Sequence, residues 1–353
     1  MEKNQNLNVC KTKIMVGMSG GIDSSVTAYM LQNDGYEVEG VYLKLHNRTD
    51  GYHERNLGYI EDVAKFLNIK YHILDLADKF TAEIYDYFVE SYLDGTTPNP
   101  CVKCNKNIKF GAMLRFAQEH GASFLATGHY AKTDGKFFYE ADDKTKDQSY
   151  FLSQVDKEAL PFMMFPLSTY KKEDIVRFGA EIDVAYKKIT EKNESQEICF
   201  VETVYTDVVK KHANIDIPGK VLDEKGNVVG THKGYAHYTI GKRRGFTVHG
   251  AHDPHFVTKL NPEDNTIVVG KKEALEVNEV IGNNLNMFIE DIEFSCKVKL
   301  RYRSISTPCK VKIENNNAYI KLEEPVFGVA AGQLAVFYDN QKVIGSAWIQ
   351  SAK

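Results

Sequence analysis

In the first half of the chain, short apolar runs alternate with stretches of helical period. Residues 14–18 form an apolar run that suits a strand covered on both faces. From Asp23 onward, Val26, Tyr29 and Met30 share one helical face, with Gly35 as the stop. Residues 37–45 read as a second strand and 71–74 as a third. Between them, 54–67 reads as a helix with Leu57, Ile60, Ala64 and Leu67 on one side. Residues 77–93 predict a long helix with Phe80, Ile84, Tyr87 and Phe88 facing inward. Phe110, Met113, Leu114 and Ala117 mark another helix, 124–127 another strand, and 171–180 an amphipathic helix. This alternation predicts an α/β fold, a doubly wound parallel sheet with ligands at the carboxyl ends of its strands.

Beyond about residue 214 the helical periods stop, and glycine, proline and β-branched residues rise. Short strands with turn signals predict a small β-rich domain, and closely spaced strands after it predict a C-terminal β-barrel. With 353 residues the chain is too long for one typical core. The expected domains are 1–213, 214–280 and 281–353.

The first strand-to-helix connection carries candidate chemistry. Ser19-Gly20-Gly21-Ile22-Asp23-Ser24 places backbone N–H groups and hydroxyls over a helix N-terminus, where an anion is favoured. It lacks the lysine of a Walker A loop, Asp23 standing in that place, and it is not GxGxxG. Gly128-His129-Tyr130 follows a predicted strand and is expected to face the same crevice.

The stretch Thr97-Pro-Asn-Pro-Cys-Val-Lys-Cys-Asn105 reads as a loop, because its two prolines oppose helix and central strand. Cys104 is then expected just before a helix start, near Lys103, Lys106 and Lys109, with a lowered thiol pKa. The alternative is a buried, inert cysteine. Cys199, in Ser195-Gln-Glu-Ile-Cys-Phe200, reads by itself as a core cysteine. The polar turn 144–149 suits phosphate and base-edge contacts, or is simply solvated. Gly241-Lys-Arg-Arg-Gly245 is a basic turn. In residues 297–303, strand alternation turns Lys297, Lys299, Arg301 and Arg303 one way and Cys296, Val298, Leu300 and Tyr302 the other. Four cations on one face call for a phosphate backbone, or for acids such as Glu323 and Glu324 on a neighbouring strand. The histidines at 232, 237, 249, 252 and 255 do not follow metal-ligand spacing.

Composition narrows the class. Hydrophobic content of 43% and charged content of 26% are ordinary for a globular chain. No apolar run approaches membrane-spanning length, and residues 1–13 lack a signal-peptide core, so a cytoplasmic protein without a membrane partner is expected. Six cysteines in such a protein point to chemistry or metal rather than a disulfide framework. The net charge of −4 argues mildly against a polyanionic partner, though local patches decide. No coiled-coil pattern or self-pairing edge is evident, so a monomer is expected.

The phosphate loop resembles the PP-loop of ATP pyrophosphatases, which split ATP between the α and β phosphates. More of the chain follows suit. SGGIDSS, TPNPCVKCN, ATGHY, KDQSYF, ICF and KVKLRYRS occur in the order found in the bacterial tRNA-specific 2-thiouridylase family, over essentially the whole length.

That resemblance implies ATP-dependent 2-thiolation of a wobble uridine in tRNA. The C2 oxygen is adenylated, a persulfide sulfur replaces it, and AMP leaves. By family position, Cys199 carries the persulfide, received from a sulfur-relay protein or a cysteine desulfurase. Cys104 is the catalytic cysteine and releases the sulfur by forming a disulfide with Cys199. ATP contacts are expected from Gly17, Met18, Ser19, Gly20, Gly21, Ile22, Asp23, Ser24, Leu43 and Gly128, with Asp23 helping to hold Mg²⁺ or position the ATP. Asn99, Pro100 and Cys101 would border the target base. His129, Lys146, Asp147, Gln148, Arg301, Tyr302 and Gln333 would touch the tRNA anticodon region, although Tyr302 falls on the opposite strand face from Arg301.

Two departures from the family pattern bear on this. Many relatives have Asp where this chain has Cys101, so Cys101, Cys104 and Cys199 are alternatively three ligands of an iron–sulfur cluster with one open iron. Ser195-Gln-Glu replaces the more usual Ser-Thr-Gly before Ile198. Cys10, Cys296 and Cys309 read as structural or incidental. The competing readings are another PP-loop enzyme, such as an amide ligase or a thiolase of different target, and a non-catalytic RNA-binding or redox-sensing protein.

Overall fold

Ile14, Met15 and Val16 have no exposed surface, because helices cover both faces of their strand. The computed structural model describes residues 11–47, 50–191, 198–250 and 253–353; Cys10, His252 and Ser195-Gln-Glu lie outside the described residues. In chain order the N-terminal domain supplies β1 (Lys13–Gly17), β2 (Glu37–Lys44), β3 (Tyr71–Asp75), β4 (Phe124–Ala126), β5 (Ala131–Thr133), β6 (Phe138–Glu140) and β7 (Met163–Met164). Five of these form a parallel sheet in the order β3-β2-β1-β4-β7. Strand order reverses between β1 and β4, which opens a crevice at their carboxyl ends.

Helices α1 (Ile22–Asn33) and α2 (Tyr52–Leu67), with Lys172–Ile182 and Val184–Thr190, cover one face around Val26, Ile60, Ile175 and Tyr186. Tyr29 and Met30 pack half-buried against the same core as Val26, as expected, and Ser24, Ser25, Thr27, Ala28 and Leu31 are buried too, because neighbours enclose the helix on several sides. The helix ends as expected at Gly35, whose φ of +92° lets the chain turn while Tyr36 N bonds the Leu31 carbonyl.

The other face is covered by the helix over 100–119 and by part of the C-terminal barrel. The middle module is a five-stranded sheet of β8 (Gly219–Leu222), β9 (Val228–His232), β10 (Phe246–Val248), β11 (Phe256–Asn261) and β12 (Thr266–Gly270), in the order β10-β9-β8-β12-β11. The barrel contains β13 (Glu276–Met287), β14 (Glu293–Lys299), β15 (Thr307–Glu314), β16 (Asn317–Phe327), β17 (Leu334–Asp339) and β18 (Lys342–Ala352). Pairing of β13 with β18 closes it, which removes exposed edges. The strand β13 runs across the expected domain boundary at 280/281.

The barrel is not a separate body. Hairpin β5–β6 joins β18 through the pairs Lys342↔Tyr139 and Val343↔Phe138. Leu334, Val336 and Tyr338 share one core with Met15, Val41 and Leu125 of the parallel sheet. Tyr150 donates its hydroxyl to the Leu334 carbonyl at 3.1 Å across this junction.

The expected basic strand over 297–303 ends early. β14 stops at Lys299, and Arg301–Ser304 is a turn, closed by Ser304 N bonding the Arg301 carbonyl. Strand alternation therefore places neither Arg301 nor Tyr302. The acid beside Lys299 is Glu140 at 2.6 Å, from β6, rather than Glu323 or Glu324.

The shared core makes a stability prediction. Leu334→Ala is expected to cost about 2–5 kcal/mol, read from the urea midpoint, and to loosen sheet and barrel together.

Candidate active site

The phosphate loop is built by hydrogen bonds among its own hydroxyls. Ser24 Oγ donates to the Gly21 carbonyl at 3.0 Å and accepts from Ser19 N at 3.2 Å. Ser25 Oγ also donates to Gly21 O at 3.0 Å. Gly20 has φ +73° and presses against α2, where a Cβ would meet the Asn56 carbonyl at 2.8 Å. The loop after β4 crosses directly above. A Cβ at Gly128 would stand 2.8 Å from Asp23 Cβ and 3.0 Å from Ser24 N. Glycine at that position is required for the close approach.

Asp23 is held from two other elements. Lys172 Nζ reaches both carboxylate oxygens at 2.7 Å, and Tyr130 donates its hydroxyl at 2.9 Å. Sequence reasoning missed Lys172. Its one signal was a lysine on the first turn of a helix, where the helix dipole disfavours a cation; that it is buried and paired with Asp23 is visible only in the fold.

The crevice is a cavity of about 630 Å³. Of the residues expected around ATP, Gly17, Met18, Ser19, Gly21, Ile22, Asp23, Ser24, Leu43 and Gly128 line it; Gly20 is turned away onto α2. Cys101, Cys104 and Cys199 line the same cavity. Tyr42, His46, Tyr52 and His53 form an aromatic wall that the sequence reading did not single out, with Tyr42 O–H and His53 Nδ1 2.6 Å apart.

The structure corrects the environment of Cys104. Pro100 takes the first helical position, which its missing N–H suits, so the helix starts one turn before Cys104. The stretch Cys104–Met113 is a wider π-helical segment, a local form common at functional sites. Cys104 is buried, and that burial pushes its thiol up to about 12 rather than down. Cys199 opens to the cavity from the turn Ile198–Val201, yet desolvation within this crevice pushes it up to about 11. Burial raises Cys101 as well. Of the three expected lysines, Lys103 lies over the Tyr87 ring at 3.7 Å and Lys106 pairs with Asp156 at 2.9 Å. Lys109 is the one whose charge lowers the thiols, and its Nζ lies 3.3 Å from His129 Nε2. Burial, then the Lys109 charge, hold His129 well below its usual pKa, so its imidazole is neutral.

Among the described residues no group of three His, Cys, Asp or Glu side chains is placed to hold a metal ion. The three cysteines share a cavity without being grouped as a three-ligand metal site.

The expected tRNA-contacting residues divide into two groups. Pro100, Cys101, His129, Lys146, Gln148 and Tyr302 line the cavity, and Tyr302 stacks on Phe151 with ring centres 4.3 Å apart. Asn99, Asp147, Arg301 and Gln333 do not line it. Asp147 is buried and accepts from Ala141 N at 3.0 Å and Ser149 Oγ at 2.8 Å. Gln333 Nε2 holds the Thr97 and Pro98 carbonyls at 3.0 and 3.1 Å, fixing the proline loop to the barrel. Arg301 donates to the carbonyls of Ile240 and Gly328. Beside Cys104, Asn105 Nδ2 bonds the Phe151 carbonyl at 3.0 Å, and its buried Oδ1 has no partner among the described residues.

A pyrophosphate-type loop after the first strand of a parallel sheet, opening on a cavity at the strands' carboxyl ends, defines the PP-loop class of nucleotide-binding enzymes; the cysteines lining that cavity are an addition to it. Family profiles agree in detail. Residues 12–203 match the tRNA methyl transferase HUP domain, 206–271 the tRNA methyl transferase PRC-barrel domain, and 277–349 the aminomethyltransferase beta-barrel domain. The chain is 84% identical over 343 residues to tRNA-specific 2-thiouridylase MnmA 1 of Aliarcobacter butzleri, covering 97% of this chain and 99% of the relative. It is 54% identical over 338 residues to the MnmA of Sulfurimonas denitrificans, covering 96% and 98%. It is also 54% identical over 339 residues to that of Campylobacter jejuni, covering 96% and 100%. The chain belongs to the tRNA-specific 2-thiouridylase family.

Two outcomes follow from this geometry. Gly128→Ala should weaken ATP binding by roughly tenfold or more in calorimetry. Alkylation in the free protein should strike Cys199 before Cys104, and the rate at Cys199 should rise roughly tenfold per pH unit above neutrality. A pH-independent rate near neutrality would show a thiolate already formed there.

Proposed function

We propose that this protein is an ATP-dependent thiolase that replaces the C2 oxygen of a tRNA wobble uridine with sulfur. The observation that carries the proposal is one cavity lined by the phosphate loop and by both Cys104 and Cys199. Direct replacement fails because the C2 oxygen is a poor leaving group. Its attack on the α-phosphate of ATP releases pyrophosphate and makes that oxygen part of AMP, which leaves readily.

The loop amides and the N-terminus of α1 suit the departing pyrophosphate. Asp23 is the carboxylate that fits Mg²⁺, since one carboxylate with substrate phosphates satisfies that ion, and bound Mg²⁺ would offset phosphate charge. Lys172 is then released from Asp23 toward the phosphates or retained as its anchor.

The sulfur chemistry balances with two cysteines. A persulfide on Cys199 supplies the sulfur. Cys104, once deprotonated, attacks Cys199 Sγ, forms the disulfide and expels hydrosulfide, which attacks the activated C2 as AMP leaves. A thiol reductant restores both cysteines. In this scheme Lys109 favours the Cys104 thiolate against the burial that opposes it. The raised thiol pKa values suit a site whose nucleophile is silent until substrate fills it. A sulfur-relay protein or cysteine desulfurase is the class of donor this requires.

A target base can enter because the anticodon loop is single-stranded, and turning one base outward costs roughly a few kcal/mol. The methyltransferase label of two profiles does not describe this site: methyl transfer from a sulfonium donor needs neither a pyrophosphate loop nor paired thiols. An amide-forming PP-loop ligase would likewise leave both cysteines without a role.

The test is an anaerobic reaction of iron-free protein with unmodified tRNA, ATP, Mg²⁺ and a persulfide source, read as 2-thiouridine by nucleoside mass spectrometry. Cys104→Ser and Cys199→Ser should each abolish product, and Asp23→Ala should abolish pyrophosphate release. Full thiolation by either serine variant would reject the proposal.

A further inference from the structure

Two exposed basic turns meet beside the cavity, and the proposed chemistry uses neither as a pair. Arg243 and Arg244 form the tip of the turn between Gly241, φ +86°, and Gly245, φ +97°. Arg303 lies in the turn that ends β14 and is also exposed. None of these three arginines has an ion pair or hydrogen bond among the described residues. In a chain of net charge −4 this is a local island of uncompensated positive charge.

Arg301 joins the turns at their bases. Its guanidinium donates to the Ile240 carbonyl at 3.3 Å, one residue before the first turn, and to the Gly328 carbonyl of the barrel. Gly328 makes room for it: a Cβ there would lie 3.3 Å from Arg301 Nη2. The middle module and the barrel are therefore pinned together at this point. Tyr302, between Arg301 and Arg303, lines the cavity, so the turn that ends β14 stands at its rim, and Arg301 ties the Gly241–Gly245 turn to it.

We propose that the two turns form one phosphate-binding surface for the RNA strand outside the cavity. Arg243, Arg244 and Arg303 supply the charge, and Arg301 is the positioning residue that aligns the two turns. The inference rests on the reading of tRNA as substrate and adds the middle module to the substrate-binding surface. An RNA backbone fits better than a single anion because the arginines come from two separate turns and point to solvent, where only a repeated negative charge engages all of them.

The test is tRNA affinity across a potassium chloride series. Arg243→Ala/Arg244→Ala should raise Kd severalfold and reduce the slope of log Kd on log salt by roughly 1.4–1.8, for two lost phosphate contacts. Arg303→Ala should reduce it by roughly half as much. Arg301→Ala should weaken binding in the wild-type background but add little to the Arg243→Ala/Arg244→Ala variant, since its effect runs through that turn. The variant Arg243→Lys/Arg244→Lys should retain most of the wild-type affinity. An unchanged Kd and slope, in a protein whose wild type binds tRNA and makes 2-thiouridine, would overturn the inference and leave the function standing. A defect seen only with a protein persulfide donor, and absent with inorganic sulfide, would also overturn it, by assigning the turns to an acidic protein face. Wild-type protein that binds no tRNA would overturn the functional reading and this inference with it.

Discussion

The carboxylate of Asp23 is the point on which the rest of the site depends. Lys172 and Tyr130 hold it from two elements distant in sequence, and Gly128 lets the loop after β4 approach within contact of the same turn. A partly buried carboxylate is costly unless paired, so this contact fixes three elements around one phosphate loop. The loop's own hydroxyls then set the direction of its N–H groups. The result is a phosphate loop presented at the carboxyl ends of β1 and β4, where the proposed ATP chemistry would take place.

The second half of the site is held from farther away. The proline loop before Cys101 is fixed to the barrel by Gln333 and by Thr97 N bonding the Ala331 carbonyl. The barrel in turn shares a core with the parallel sheet. The position of the helix that carries Cys101 and Cys104 is therefore set by residues more than two hundred positions away. This gives the C-terminal barrel a structural role in shaping the cavity, separate from any contact with RNA.

Much of the fold was legible because it rests on local pattern. Residues 14–18 announce a buried strand by being apolar throughout, and Gly35 announces a helix end by its freedom at positive φ. The errors came where local rules give two answers. Proline opposes a helix interior but favours its first position, so Pro100 began a helix in a stretch that reads as loop, and this moved Cys104 from a helix start to a buried turn. Alternation describes a strand but not its end, so Arg301 and Tyr302 were assigned faces of a strand that stops at Lys299. The salt bridge of Lys299 to Glu140 and that of Lys172 to Asp23 join residues far apart in sequence, and no window along the chain contains both partners. The phosphate loop and the cysteines were legible as chemistry; the acid–base balance around them was not, because burial is a property of the folded molecule.

The central claim is that the C2 oxygen leaves as part of AMP. It is tested most directly with tRNA carrying oxygen-18 at C2 of the wobble uridine, followed by mass spectrometry of the AMP after a single thiolation. The account predicts one labelled oxygen in AMP for each 2-thiouridine formed. Thiolated tRNA accompanied by unlabelled AMP would contradict it and would place the adenylate somewhere other than the uridine.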